Sequence, residues 1–189
     1  MKYCTLYSAN NSIINQDLLG PDELMRFGAR IEHLRIGECI FTRKSVLIST
    51  VLGSCVSLTF YHRQTMASGI LHSMLPDSSL AKAVRQECTY VNLAVAKILE
   101  RFKLLGIPEK EVEIKLFGGG NTMYAKEQQA VTEDLDIGRK NVEAAKTAIS
   151  SRSLRIIKED VQGDRGRKVF FYTGTGEVWV RYISSNGGQ

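Results

Sequence analysis

The stretch Leu52–His62, LGSCVSLTFYH, decides how the chain is read. From Cys55 onward it is short, β-branched and aromatic, the composition of a strand bounded by turn residues. Gly53 and Ser54 place a flexible corner directly before it. By residue type, a cysteine at the lip of a strand is a small buried hydrophobe. It becomes a nucleophile only if a base can reach its proton.

Working outward, the runs ECIF, SVLISTV and ASGILH flank this stretch, so that four strands follow one another from Glu38 to His72. The last ends at His72, with sixteen residues between it and Cys55. A hairpin turning near Arg63–Met66 sets the start of one strand against the end of the other, which brings thiol and imidazole within reach across the ladder. The imidazole then takes the thiol proton and leaves the attacking thiolate. No carboxylate lies near the pair in sequence to orient the ring. The hydroxyls of Ser49 and Thr50, six and five residues before Cys55, both stand as candidates for that place. His62, just past its strand, reads as an ordinary polar side chain.

Beyond His72 the pattern lengthens to helical spacing. Val91, Ala94, Val95, Ile98, Phe102 and Leu105 mark a helix over about Thr89–Leu105, ended by Gly106 and Pro108. The strand VEIKLF, Val112–Phe117, runs into Gly118, Gly119 and Gly120, and a second helix is expected over about Gly138–Ser151. LRIIKEDV then precedes a terminal hairpin, VFFY and VWVRYI joined by TGTGE. Residues 1–32 are polar and turn-rich and read as an N-terminal extension, with DELMRFGARIEHL forming one amphipathic helix after Pro21. Residues 33–184 read as the domain and 185–189 as a C-terminal tail. The expected fold class is α/β: a single mixed α/β domain, largely antiparallel in its sheet structure and covered by helices.

Composition narrows the function classes. The 189 residues carry a formal charge of +5, but the basic residues are scattered, so no nucleic-acid footprint is expected. The one local concentration, GDRGRK at Gly163–Lys168, reads as a solvated loop. Four cysteines without CxxC spacing and three histidines offer no metal arrangement. No apolar stretch reaches membrane-span length and no signal-peptide core opens the chain, so the expectation is a cytoplasmic protein with reduced thiols and no membrane insertion. The run GGGN lacks both the lysine of a phosphate loop and the spaced glycines of a dinucleotide site. Gly53, Ser54, Gly118, Gly119 and Gly120 are instead expected to admit a protruding substrate side chain close to backbone.

Six short segments, in order, are similar to the CheD family of chemoreceptor glutamine deamidases. They are IGE (Ile36–Glu38), STVLGSCV (Ser49–Val56), HSMLP (His72–Pro76), FGGGNTM (Phe117–Met123), IGRKNVEAAK (Ile137–Lys146) and EDVQGDRGRKVFF (Glu159–Phe171). The resemblance implies a fold like that of bacterial toxin deamidases and a cytoplasmic cysteine hydrolase, without cofactor, that converts receptor glutamines to glutamate through a thioester. It implies methyl ester hydrolysis as a further reaction of the same thiol. The family's nucleophile falls on Cys55 and its base on His72, while its hydroxyl position, usually threonine, falls on Ser49, with Thr50 adjacent. The implied partners are methyl-accepting chemotaxis receptors and a CheC-type chemotaxis phosphatase. The competing expectation is an adaptor that binds the same partners without turnover.

Overall fold

The computed structural model describes residues 5–7, 20–79, 86–121 and 136–183. In chain order the elements are β1 (Thr5–Tyr7), α1 (Pro21–Arg26), β2 (Ile31–His33), β3 (Cys39–Thr42), β4 (Leu47–Leu52), β5 (Val56–His62) and β6 (Ala67–Ser73). There follow α2 (Val91–Leu104), β7 (Glu113–Gly118), α3 (Ile137–Ser150), β8 (Ile156–Val161), β9 (Arg167–Tyr172) and β10 (Glu177–Tyr182). The expected mixed α/β domain, largely antiparallel, is what forms.

Its strands divide between two five-stranded sheets. An outer sheet has the order β1-β10-β9-β4-β2 and a central sheet the order β3-β6-β5-β7-β8. Among the described strands, only β2 with β4 and β7 with β8 pair in parallel. The second of these parallel pairs needs a crossover, which α3 supplies. The central sheet is covered on both faces. On one, Val56, Leu58, Phe60, Ile114 and Leu116 pack with Val95, Ile98 and Phe102 of α2 and Val142 and Ile149 of α3. On the other, Tyr61, Ile70 and Phe117 meet Ile48, Leu52, Val169, Phe171 and Val180 of the outer sheet. Two-sided burial explains why β5 and β6 are buried along their whole length, polar Ser57, Thr59, Ser68 and His72 included.

Three readings of the sequence change, and one strand is added. The helix expected over Asp22–Leu34 stops at Arg26, where Gly28 takes φ +86°, and the chain re-extends so that Ile31–His33 pairs with Leu47–Ser49. Within the extension, Thr5–Tyr7 pairs with Val178–Val180, adding an edge strand to the outer sheet. The rest of the extension before Gly20 and the tail lie outside the described residues. Cys39 and Cys88 form a disulfide, so the expectation of reduced thiols fails for these two. They are 49 residues apart, and the fold joins them by laying β3 beside the short helical turn Glu87–Thr89. Finally, the GDRGRK loop is not wholly solvated. Arg167 is 1% exposed, its guanidinium paired with Asp160 and bonded to the Gln162 carbonyl, while the Tyr182 hydroxyl donates to the same carboxylate at 2.9 Å.

Candidate active site

Cys55 sits where the chain changes sheets. β4 belongs to the outer sheet and β5 to the central one, and Gly53–Cys55 is the corner between them. In the central sheet Ser57 stands opposite His72 and Val56 opposite Ser73, as the expected hairpin requires. Alternation puts the position two before Ser57 on the face of His72. That face is the one toward the outer sheet, and Cys55 packs, partly buried, against the cluster between the sheets.

Adjacent residues of β4 point to opposite faces, and this separates the two hydroxyl candidates. Thr50 shares the face of Ile48 and Leu52, inside the molecule, and its Oγ1 lies 2.7 Å from His72 Nδ1. The Thr50 hydroxyl also donates to the Leu34 carbonyl at 2.9 Å. A hydroxyl has one proton, so toward the imidazole Thr50 accepts, and Nδ1 is the protonated nitrogen. His72 Nε2 is left as the lone-pair nitrogen, buried and without a hydrogen-bond partner among the described residues. Ser49 shares the opposite face with Leu47. Its Oγ lies 2.8 Å from Nδ1 of His33, an exposed histidine on the neighbouring strand β2. His62 is tied to Thr65 at 2.8 Å and to Glu111 at 3.2 Å, remote from the thiol in the hairpin register.

Burial governs the electrostatics. It pushes the Cys55 thiol above its ordinary range, an effect opposed by the residue's own backbone N–H. It pushes His72 down to about 4, against the opposing influence of the Leu34 carbonyl and the Glu38 carboxylate. At neutral pH both groups are therefore uncharged, a thiol and an imidazole whose Nε2 is unprotonated, on the same face of the central sheet.

The glycine run lies against this corner. Gly119 N–H donates to the Cys55 carbonyl and Gly120 N–H to the Gly53 carbonyl, each at 2.8 Å. Gly118 adopts φ +106°, and a Cβ there would stand 2.2 Å from the Cys55 oxygen. From the far side α3 presses in at Gly138, where a Cβ would come within 2.6 Å of the Gly119 oxygen. A surface cavity of about 610 Å³ opens past Gly119 toward Asp136 and Arg139.

The residues not anticipated are Leu34, through its carbonyl, and Asn141. The Asn141 side chain is fully buried and reaches the carbonyls of Ser54 and Met74. A signal for it existed: it lies on the apolar stripe of α3 with Ala145 and Ala148, where a polar residue is out of pattern. Among the described residues no group of three or more His, Cys, Asp and Glu side chains is arranged to hold a metal ion. Nor is any helix long and apolar enough to cross a membrane.

The sequence profile described as CheD chemotactic sensory transduction matches residues 74–182, beginning just past His72. The chain belongs to the CheD family. Among its CheD relatives is the probable chemoreceptor glutamine deamidase of Nitratidesulfovibrio vulgaris, 45% identical over 164 residues, which span 86% of this chain and 82% of the relative. The protein of the same description from Oleidesulfovibrio alaskensis is 41% identical over 89% of this chain and 80% of its own. An archaeal CheD relative, from Thermococcus kodakarensis, is 34% identical over 79% and 91%. Among solved structures, the hypothetical protein YfiH of Bacillus licheniformis overlays at a TM-score of 0.42 with 10% identity, covering 77% of this chain and 61% of that one, too loose a fit to carry an assignment.

Proposed function

We propose that this protein deamidates glutamine side chains of chemoreceptors to glutamate, with Cys55 as nucleophile, His72 as general base and acid, and Thr50 as the group that orients His72. The observation that carries the reading is the Thr50–His72 contact at 2.7 Å, with the Thr50 proton committed to the Leu34 carbonyl. That arrangement protonates Nδ1 and leaves Nε2 to take a proton, and the partly buried thiol on the same face of the sheet is its partner. Membership of a family whose relatives bear the description of glutamine deamidases supports the choice of substrate.

The steps follow from these roles. Nε2 takes the Cys55 proton as the sulfur forms a bond to the carboxamide carbon, and the negative charge collects on the carboxamide oxygen. The Cys55 backbone N–H is the donor for that oxyanion. The carbon–nitrogen bond then breaks, with the imidazolium giving its proton to the departing ammonia, and a thioester remains. Water loses a proton to Nε2 and attacks the thioester carbon, and the thiolate leaves and recovers the proton. The product is glutamate. A glutamate methyl ester enters the same route with methanol in place of ammonia. In this reading Gly118–Gly120 serve the backbone of the nucleophile corner, and Ser49 stands outside the machinery. We place the reaction in the cytoplasm, on methyl-accepting receptors, with a CheC-type phosphatase as a second partner.

The test incubates the purified protein with a receptor cytoplasmic fragment and follows glutamine residues by mass spectrometry. A gain of about one dalton per modified glutamine is expected with wild type and none with Cys55→Ala. If both proteins bind the fragment and neither changes its mass, the adaptor reading takes its place.

A further inference from the structure

The polar side chain inside the otherwise apolar packing of α3 does something specific. Asn141 has no exposed surface, and its Nδ2 donates to the carbonyl of Ser54 and to that of Met74, each at 3.0 Å. Both protons of the amide are thereby used, while Oδ1 has no partner among the described residues. An apolar side chain would fill the helix face without leaving a buried acceptor unbonded, which is costly. What Asn141 supplies that an apolar residue cannot is two donors.

Their targets decide the role. The Ser54 carbonyl and the Cys55 N–H belong to one planar trans peptide unit, so fixing the oxygen fixes the direction of the N–H. Accepting a hydrogen bond also polarises the unit and strengthens its N–H as a donor. The next unit is fixed in turn, because the Cys55 oxygen accepts from Gly119 N–H at 2.8 Å. The second target, Met74, lies just past His72, and its own N–H is bound to the Thr89 carbonyl at 3.0 Å. One side chain thus ties the corner that carries the thiol to the strand end that carries the imidazole.

We infer that Asn141 is a positioning residue for deamidation, holding the Ser54–Cys55 peptide so that the Cys55 N–H faces the developing oxyanion. This rests on the deamidase reading above. The residue acts through the backbone of Cys55 and touches no reacting atom. Its loss lowers the rate of the acyl steps and leaves the reactivity of the fully ionised thiolate intact, since alkylation of a thiolate needs no oxyanion donor.

The experiment compares wild type, Asn141→Ala and Asn141→Ser in three measurements. In steady-state deamidation of a receptor fragment, kcat is expected to fall about 30-fold in Asn141→Ala with KM within about threefold, a part of the loss that removing an oxyanion donor causes. Asn141→Ser, which keeps one donor, recovers part of the rate and is the variant that answers if the alanine form does not fold. Alkylation of Cys55 by iodoacetamide, compared at the high-pH plateau where the thiol is fully ionised, stays within about twofold of wild type. The Cys55 amide, followed by NMR, moves in resonance and exchanges with solvent at least about tenfold faster in the variants. Unchanged kcat in a folded variant, or a rate loss carried wholly by KM, overturns the inference. If wild type itself deamidates nothing, the deamidase reading falls, and the Cys55 amide then decides alone: a resonance and exchange rate unmoved by Asn141→Ala overturn the positioning role.

Discussion

Thr50 and Ser49 are neighbours in the chain and lie on opposite faces of β4, so a single pair of substitutions separates them. Thr50→Ala removes the acceptor that keeps the His72 proton on Nδ1, and kcat is expected to fall about 100-fold, with Thr50→Ser restoring most of it. Ser49→Ala, which frees only the exposed His33, is expected to leave kcat within about twofold, and steady-state assays of the three variants check both outcomes. The pH dependence follows from His72, which burial holds at about 4. It must be neutral to accept the thiol proton, so kcat/KM is expected to stay level from neutral pH to about pH 5 and to fall roughly tenfold per unit below about pH 4. An acid limb near the ordinary imidazole value of about 6.5 would sink this assignment. Stability carries the same sign. Between about pH 6.5 and 4 the unfolded chain binds a proton at His72 that the folded chain refuses, so stability declines as pH falls through that window, by about 3 kcal/mol in all. Denaturant titrations at pH 7 and pH 4 on wild type and His72→Gln would isolate this contribution.

At the scale of elements, the corner Gly53–Cys55, the run Gly118–Gly120 and the start of α3 form a stack in which each layer leaves no room for a side chain in the next. Gly118→Ala places a methyl 2.2 Å from the Cys55 oxygen at φ +106°. We expect a loss of at least about 2 kcal/mol in urea unfolding, together with loss of deamidation in the fraction that remains folded. The strands from β3 onward and the two long helices were legible in the sequence because apolar runs of strand length alternate with turn residues, and because Val91–Phe102 and Val142–Ile149 repeat at helical spacing. The change of sheet at Gly53 was not legible. A period of two is the same whichever sheet a strand joins, and nothing local to β4 or β5 distinguishes the partners. For the same reason the sequence left Ser49 and Thr50 unresolved: all of β4 but Val51 is buried, so polarity does not mark the inward face. Asn141 is out of pattern on the apolar stripe of α3, but its partners are backbone carbonyls, which leave no trace in side-chain composition, so the sequence does not say what it binds.

For the molecule as a whole, the disulfide Cys39–Cys88 closes a loop across a sequence separation of 49 residues, joining β3 to the turn before α2. His72 lies between these walls: its N–H donates to the Glu38 carbonyl at 3.0 Å, and Ser73 Oγ donates to the Cys88 carbonyl at 2.7 Å. Reduction is expected to cost about 4 kcal/mol through the loop entropy regained by the unfolded chain. Thermal melts with and without dithiothreitol should therefore differ by roughly 10 °C, and Cys39→Ala/Cys88→Ala should melt alike under both conditions. Sequence spacing held no hint of the pairing, since it depends on how the two sheets and α2 come together. That dependence reaches the chemistry too. Thr50 comes from one sheet and His72 from the other, and Cys55 sits at the corner joining them. If Cys55 and His72 act as proposed, a copy still emerging or half assembled carries its thiol without that base, and is expected to leave glutamines around it unmodified. On that reading, completion of the fold is itself the activation step.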